Sequence, residues 1–308
     1  MSHGADTSPA VGWRAWLTSE RPQSRRQAAW GRAYQGWRAF ARNRLALVGL
    51  AIVLALVGVA LLAGVLAPYP PTVGDLAARL QPPSAMHWLG TDDQGRDILS
   101  RLMHGTRITL TVVVLVAVLA APIGLLVGTA AGYAGGVLDG VLMRITDIFL
   151  AFPKLILALA FVAALGPGIE NAVIAIAITS WPAYARIARA ETLTLRHSDY
   201  LAAVRLLGAG PARIVLLHVV PMCLPSVVVR VTLDMAGIIL TAAGLGFLGL
   251  GAQPPSPEWG AMIAGGRQVV LDHGWVAAAP GAAIFLVSLG FNLLGDGLRD
   301  ALDPKSAP

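Results

Sequence analysis

Two charged residues stand inside an otherwise apolar run of the sequence. Arg230 and Asp234 lie four positions apart within Val219–Gly251, and a helix would place them on one face. Ionisable groups at membrane depth are costly, so they usually face a polar cavity or each other. The pattern is compatible with an internal salt bridge that neutralises both residues. It is equally compatible with a polar lining of a translocation path for a zwitterionic or charged solute.

The composition indicates that membrane-spanning helices position this pair. The 308 residues are 56% hydrophobic and 13% charged, about half the charge of a soluble domain. The single cysteine, Cys223, excludes an intrachain disulfide and a cysteine metal cluster. Lysine occurs only at Lys154 and Lys305, which excludes a G-x-x-x-x-G-K-[ST] phosphate loop. ATP-dependent work therefore requires another polypeptide.

Six stretches are predicted to cross the membrane, each with roughly the 20 residues that a helical span needs. They are Leu45–Ala67, Ile108–Leu138, Asp147–Glu170, Gly168–Arg186, Val219–Gly251 and Trp275–Gly295. Pro122 and later glycines are expected to bend or end the second span, and Lys154 interrupts the third near one end. The predicted fold class is all-α, a polytopic membrane protein with six transmembrane helices.

The basic residues predict the orientation. Eight arginines precede the first span, and five more lie between the fourth and fifth spans. Arginine-rich flanks stay in the cytoplasm, so we expect both termini to be cytoplasmic. The predicted regions are a cytoplasmic basic arm with an interfacial helix (1–44), the first transmembrane helix (45–67), an external loop (68–107), a five-helix core (108–295) that includes a cytoplasmic loop (187–220), and a cytoplasmic tail (296–308).

Aromatic residues in the arm recur at helical spacing. Trp30, Tyr34 and Trp37, followed by Ala41, fall on one stripe, which favours a helix lying in the membrane interface. A solvated basic tail that only sets the topology is the alternative, and residues 1 to about 25 are expected to be disordered.

A second spacing pattern predicts close helix packing. Glycines occupy every fourth position from Gly124 to Gly136, at 124, 128, 132 and 136. Such a row lets another helix backbone approach closely inside a membrane. A direct role in contacting substrate is the less favoured alternative.

The stretch Glu191–Pro221 is amphipathic rather than fully apolar. Asp199 is placed to cap a short helix, and Gly208 is placed to end it. Pro211 then opens a second helical run. Two short helices joined by a glycine turn are therefore predicted on the cytoplasmic surface, either as a docking knob for a partner protein or as an ordinary loop between spans.

This loop resembles the coupling motif of binding-protein-dependent ABC importer permeases, E-A-A, three residues, glycine and a distal proline. Ala203, Gly208 and Pro221 match, whereas Ala202 replaces the glutamate and Val204 replaces the second alanine. The resemblance implies that an ATPase-coupling loop is formed by Tyr200, Leu201, Ala202, Ala203, Val204, Arg205, Gly208 and Pro221.

Four other segments are similar to the C-type subunit of the dipeptide/oligopeptide/nickel permease family, over about residues 37 to 305. They are His87–Arg101, Met143–Asp147 with Pro153, Gly246–Gly260 and Phe291–Pro304. The first segment carries the family motif residues Gly90, Thr91, Asp92, Gly95, Arg96 and Asp97.

The resemblance implies a type I ABC importer permease-like fold in the bacterial cytoplasmic (inner) membrane. It implies three kinds of partner: a B-type permease subunit, one or two cytoplasmic ATP-binding subunits, and an extracellular or periplasmic solute-binding protein. ATP and Mg would be bound by the partner ATPase, and we expect this chain, surrounded by membrane lipid, to bind no cofactor, metal or nucleic acid and to be no enzyme. Thr241 stands where the family often has an acid, so Arg230, Asp234 and Thr241 form the candidate translocation path.

The leading interpretation is a pore subunit that imports di- or oligopeptides. Nickel chelates, glutathione or another small polar solute remain alternatives, although His87 and His104 have no neighbouring ligand set that marks a metal site. A membrane-embedded enzyme is disfavoured because no H-E-x-x-H or G-x-S-x-G motif occurs. A proton-coupled secondary transporter that uses Arg230 and Asp234 as a relay is the different-class alternative.

Overall fold

The computed structural model of the chain describes residues 13–17 and 23–302. Residues 1–12 and 18–22 of the predicted arm and residues 303–308 of the predicted tail lie outside this part. The helices, in chain order, are α1 Trp13–Leu17, α2 Arg25–Arg42, α3 Arg44–Leu66, α4 Ile98–Ala134, α5 Gly136–Leu150, α6 Lys154–Leu165, α7 Ile169–Leu195, α8 Asp199–Leu206, α9 Pro211–Ile214, α10 Val220–Phe247, α11 Trp259–Gly266 and α12 Trp275–Leu302.

Four helical stretches in the described residues are long and apolar enough to cross a membrane. They are α3, α4, the continuous stretch Pro211–Phe247 and α12, which correspond to the predicted first, second, fifth and sixth spans. α4 begins ten residues before the predicted Ile108 because the Asp97 carboxylate accepts a hydrogen bond from the Ser100 N–H and caps the helix there. Pro122 lies inside α4, and the helix continues to Ala134.

The prediction of one continuous helix for the third span, Asp147–Glu170, was wrong. Two helices, α5 and α6, meet there at 92°. Pro153 lacks an N–H and disfavours helical geometry at the residue before it, so the chain turns at this point. α6 has 12 residues, about 18 Å of helix, which is shorter than the roughly 30 Å hydrocarbon core. Counted together as one broken span, the pair brings the apolar spans to five.

The predicted fourth span corresponds to α7, which has 27 residues but is not among the apolar helices. α7 continues past the predicted end at Arg186 and carries Glu170, Arg189 and Glu191. Its inner face packs along α4. A Cβ atom on Gly124 would lie 2.6 Å from the Trp181 carbonyl oxygen, so the two backbones touch there.

The predicted glycine row is confirmed for three of its four members. Added Cβ atoms at Gly128 and Gly132 would also meet the α7 backbone, whereas Gly136 has open space and begins α5. The Gly132 contact is with Arg189 and Thr192, so the last turns of α4 and α7 lie at the same end of the bundle.

The antiparallel packing of α3 and α12 shows which helix ends lie together. A Cβ on Gly49 of α3 would meet the backbone of Gly290 and Leu294, and one on Gly297 would meet Ala46. The start of α3 therefore lies beside the end of α12. Because residues 67–97 connect the far ends of α3 and α4, the start of α3, the end of α7, α8 and the end of α12 share the end opposite to that segment.

Candidate functional site

α8 is an exposed loop helix whose cap differs from the prediction. The Ser198 hydroxyl, not Asp199, accepts the hydrogen bond from the Leu201 N–H, and Asp199 is the first helical residue. Gly208 ends the loop helix with φ +80°, a conformation in which L side chains are strained. A helix begins at Pro211 as predicted, but it is not a separate short helix, because α9 passes through a π turn at Val215–Val219 directly into α10.

One side of α8 is anchored and the other is open. Leu201 is fully buried, while Leu206 and Leu207 are 89% and 87% exposed. The other predicted coupling residues lie around this tip: Tyr200, Ala202, Ala203 and Arg205 are exposed, Val204 is half-buried, and Pro221 is exposed at the start of α10. An exposed apolar tip on a short helix is suited to a groove on another protein.

Two side-chain contacts hold α8 against its neighbours. The Tyr200 hydroxyl lies 2.7 Å from Nδ1 of His218, in the π turn below α10. The Arg205 guanidinium donates to the Arg196 carbonyl at 3.0 Å. These contacts connect α8 both to the end of α7 and to the π turn before α10, so α8 is packed against the helix bundle.

Of the two interpretations of Arg230 and Asp234, the salt bridge between them is not present in the described residues. The Asp234 carboxylate instead accepts from Lys154 Nζ at 3.0 Å and from the Tyr184 hydroxyl at 2.9 Å, both on Oδ2. These three residues, the Asp234 cluster, join α6, α7 and α10. The break before α6 brings Lys154 into reach, and α7 supplies the fully buried Tyr184.

Arg230 belongs to a different environment. Its Nε atom is buried without a hydrogen-bond partner. The side chain lines a cavity of about 450 Å³ between α7, α10 and α12. Charged and polar neighbours on this cavity, which we name the inner cavity, are Glu191, Ser226 and Arg299.

Thr241 joins neither group. It is buried, and its hydroxyl donates to the Gly237 carbonyl oxygen one turn back in the same helix at 2.8 Å. Of the three residues of the predicted path, the structure thus places Arg230 on the inner cavity, Asp234 in a neutralised cluster and Thr241 in a helix-internal hydrogen bond.

The family motif residues form a compact folded segment before α4. Thr91 and Asp97 make an antiparallel bridge, and Gly90 and Gly95 have φ +77° and +72°. Asp92 accepts from the Arg96 Nε at 2.7 Å and from the backbone N–H groups of Gln94 and Arg96. These contacts lie within the segment itself, and they fix its conformation directly before α4 begins.

Asp97 joins this segment to the start of α4. Its carboxylate accepts from the Ser100 N–H and hydroxyl at 2.8 and 2.7 Å, and His87 Nδ1 lies 3.0 Å away. His104 Nδ1 lies 2.9 Å from the Ser100 carbonyl oxygen. Both histidines thus have local structural partners, and the described residues contain no group of three His, Cys, Asp or Glu side chains placed to hold a metal ion.

A second loop closes over the same end of α4. The Trp259 indole N–H donates to the Leu102 carbonyl at 3.2 Å. Glu258 caps α11 through the N–H groups of Gly260 and Ala261. Burial raises the pKa of the Glu258 carboxyl above its usual value, and the two backbone hydrogen bonds oppose this shift. Arg101, buried beneath the loop, donates to the Pro71 carbonyl at 2.7 Å.

Sequence reasoning missed several residues that matter for these sites. Lys154 was read only as an interruption, and Tyr184, Glu191, Ser226 and Arg299 were not singled out. A lone lysine directly after a helix-breaking proline was the available signal for Lys154. The other four carry no local pattern, because they meet only through the packing of α7, α10 and α12.

Long apolar helices and close glycine packing are typical of a multi-pass membrane protein. The chain belongs to the family described as "Binding-protein-dependent transport system inner membrane component", whose model matches residues 120–307. Residues 30–83 match the model described as "N-terminal TM domain of oligopeptide transport permease C". The protein is accordingly a multi-pass protein of the inner membrane, and its family is that of transport permeases rather than enzymes.

Curated relatives are similar over most of their length. The dipeptide transport system permease protein DppC of Escherichia coli K12 is 51% identical over 275 residues, 87% of this chain and 92% of the relative. The di/tripeptide transport system permease protein DppC of Pseudomonas aeruginosa is 48% identical over 275 residues, 87% and 91%. The glutathione transport system permease protein GsiD of Salmonella typhimurium is 48% identical over 270 residues, 87% and 89%.

A solved structure shares the fold. A chain of the MetNI methionine ABC transporter in an inward-facing conformation superposes with a TM-score of 0.52 at 20% identity, covering 67% of this chain and 98% of that chain. At this identity the likeness concerns the fold alone, and it supports the permease architecture expected from the sequence.

Proposed function

We propose that this chain is the permease subunit of a binding-protein-dependent ABC importer for dipeptides and short oligopeptides. It forms one half of the translocation pore, and a B-type permease subunit forms the other half. The exposed apolar tip of α8 on a permease fold is the observation that carries the proposal. The 48–51% identity to permeases named for dipeptides and di/tripeptides supports the solute class.

The proposed topology has six crossings and cytoplasmic termini. α7 makes the fourth crossing, shielded from lipid by α4, and the broken pair α5–α6 makes the third. The start of α3, α8 and the end of α12 share one end of the bundle, and arginines concentrate at that end. By the positive-inside rule that end is cytoplasmic, and residues 67–97 face outward.

The proposed coupling contact is between α8 and a groove on an ATP-binding subunit. Leu206 and Leu207 supply apolar contact, and Tyr200 transmits the push to His218 and α10. Ala202 is exposed where the family motif has glutamate, so docking here relies on shape and apolar area rather than on that carboxylate. One or two such subunits hold the ATP and Mg, and this chain binds no cofactor itself.

An external solute-binding protein delivers the solute to the outward end in this proposal. Glutathione is the second candidate solute, because the relative named as a glutathione permease is 48% identical. Nickel chelates and other small polar solutes are further alternatives, and a panel of candidate solutes distinguishes them from peptides. A proton-coupled secondary transporter is the alternative of a different class.

The test is reconstitution of the complex from its natural partners in lipid vesicles. ATP hydrolysis and uptake are measured with the solute-binding protein, empty and loaded, over a panel of dipeptides, tripeptides, glutathione and nickel chelates. We expect peptide-loaded binding protein to stimulate both activities. Absence of an associated ATPase, together with uptake driven by a proton gradient, would overturn the proposal.

A variant of the loop helix tests the coupling contact directly. Gly208→Trp forces a bulky side chain into a backbone with φ +80°, so we expect hydrolysis to continue while uptake falls about tenfold or more. Gly210→Trp is the matched control, since Gly210 has φ −70° and open space around it. Equal uptake by wild type and Gly208→Trp would remove α8 from the coupling role.

A further inference from the structure

The inner cavity has the size of a site for a small solute. Its volume of about 450 Å³ lies within the roughly 300–1,000 Å³ range of ligand pockets and far above the ~30 Å³ share of one liquid water. Apolar side chains such as Ile187 and Leu233 alternate with the polar ones around it. A mixed lining of this kind offers contacts to both the apolar and the polar groups of an organic solute.

The charges around the inner cavity do not cancel. Arg230 and Arg299 line it together with a single carboxylate, Glu191. Among the described residues, no ion pair involves either arginine. An anionic group that enters the cavity therefore meets two guanidinium groups whose charge no carboxylate of the described residues neutralises.

Glu191 is positioned on a different wall from the arginines. It lies on α7, where its carboxylate accepts a hydrogen bond from the Ser226 hydroxyl of α10. Arg230 lies on α10 and Arg299 on α12. The cavity therefore presents cationic groups from two helices and an anionic group from a third.

The location of the cavity fits a late stage of transport. Glu191 and Arg299 lie in the last turns of their helices, at the end of the bundle that carries α8. The Asp234 cluster lies one turn of α10 further along, and its carboxylate already has two donors. The Asp234 cluster therefore does not neutralise Arg230 or Arg299, and their charges remain available to a solute.

We infer that the inner cavity binds the free termini of a short peptide before its release: Arg230 and Arg299 hold the α-carboxylate and Glu191 holds the α-ammonium group. This inference rests on the proposed function and adds the site and the recognised groups. Two extended residues span about 7 Å, a length that a cavity of this volume accommodates.

The experiment measures peptide binding by the assembled complex in lipid nanodiscs, without nucleotide and without solute-binding protein. The probe is radiolabelled Ala-Phe, compared with its N-acetylated and C-amidated forms. Hydrogen bonds to charged groups are strong enough that we expect each capped form to bind about tenfold more weakly or worse. Arg230→Gln is expected to lose the preference for the free carboxylate, and Glu191→Gln the preference for the free ammonium group.

Two variants keep the test decisive. Arg299→Gln changes an exposed side chain and replaces Arg230→Gln if that variant fails to assemble, whereas Arg26→Gln, exposed on α2, controls for net charge and is expected to bind like wild type. Equal binding of free and capped peptides, unchanged selectivity in the variants, or no binding by the assembled complex overturns the inference. If hydrolysis and uptake still respond to peptide-loaded binding protein, the proposed function survives that result. If they do not respond, the proposed function itself fails.

Discussion

The segment before α4 and the inner cavity both bury charge, but they differ in how the charge is compensated. Asp92 and Asp97 have several donors each at 2.7–3.0 Å, supplied by residues within five positions or by His87. Arg230 has a buried nitrogen without a partner, and the carboxylate across the cavity, Glu191, is engaged by a hydroxyl rather than by an arginine.

This difference distinguishes charged side chains that stabilise the local fold from charged side chains that remain available to a ligand. A carboxylate that is fully hydrogen-bonded by its own chain stabilises a local fold and has little left for a ligand. A guanidinium held at membrane depth without a partner is costly, and it is a candidate for contact with a solute or another subunit. The Asp234 cluster lies between these extremes, because one carboxylate serves two donors from two other helices.

The largest expected effect is at Asp97. Asp97→Ala removes a helix cap, strands the Ser100 hydroxyl and removes the partner of His87, so we expect a loss of roughly 2–4 kcal/mol in unfolding free energy. The measurement is the thermal unfolding midpoint of the purified complex in detergent. Asp93→Ala is the matched control. The Asp93 side chain is 41% exposed, and its contact with Arg96 is long, at 3.9 Å. Equal midpoints for the two variants would contradict the structural role of this segment.

A smaller effect is expected at the Asp234 cluster. Lys154→Met leaves a partly buried carboxylate with only the Tyr184 hydroxyl, and we expect it to destabilise the complex by about 1–3 kcal/mol. Adding Asp234→Leu removes the stranded charge, so the double variant should recover much of the lost stability. If the double variant is no more stable than Lys154→Met, the ion pair does not dominate this cluster.

The smallest effect on stability is expected at Arg230. Because this guanidinium lacks a partner for Nε, Arg230→Met should change the unfolding midpoint little or raise it slightly. Uptake by the reconstituted complex should fall severalfold at the same time. A loss of stability as large as that of Lys154→Met, with uptake unaffected, would show that Arg230 is a structural residue. The inner cavity would then not differ from the segment before α4 in how its charge is used.

The long helices were predictable because a membrane leaves a simple signal. Runs without charge, such as those that became α3 and α12, satisfy their backbone hydrogen bonds internally and need only length and apolarity to be recognised. The start of α4 was misplaced because Asp97 caps the helix well before the apolar run begins. The break at Pro153 was also signalled in the sequence, but the apolar run on both sides of it imitated a single span.

The partners of charged residues were much harder to predict. Spacing on one helix allowed Arg230 to pair with Asp234, yet it is Lys154 from α6 that reaches Asp234 at 3.0 Å. The inner cavity depends on the end of α7 meeting the end of α12, and neither Glu191 nor Arg299 carries a local pattern that reveals this meeting. Long-range packing decides which charges are satisfied, and periodicity reports only which side of one helix they occupy.

The continuity of Pro211–Phe247 has a mechanical consequence. These 37 residues make a rod about 55 Å long at 1.5 Å per residue, with α8 at its foot and Arg230 near its middle. Between this foot and Arg230, the regular hydrogen-bond pattern is interrupted by the π turn at Val215–Val219 and by Pro225 inside α10. Because Ser226 and Arg230 of this helix line the inner cavity, a displacement of α8 would change the width of the cavity only after passing these two bendable positions.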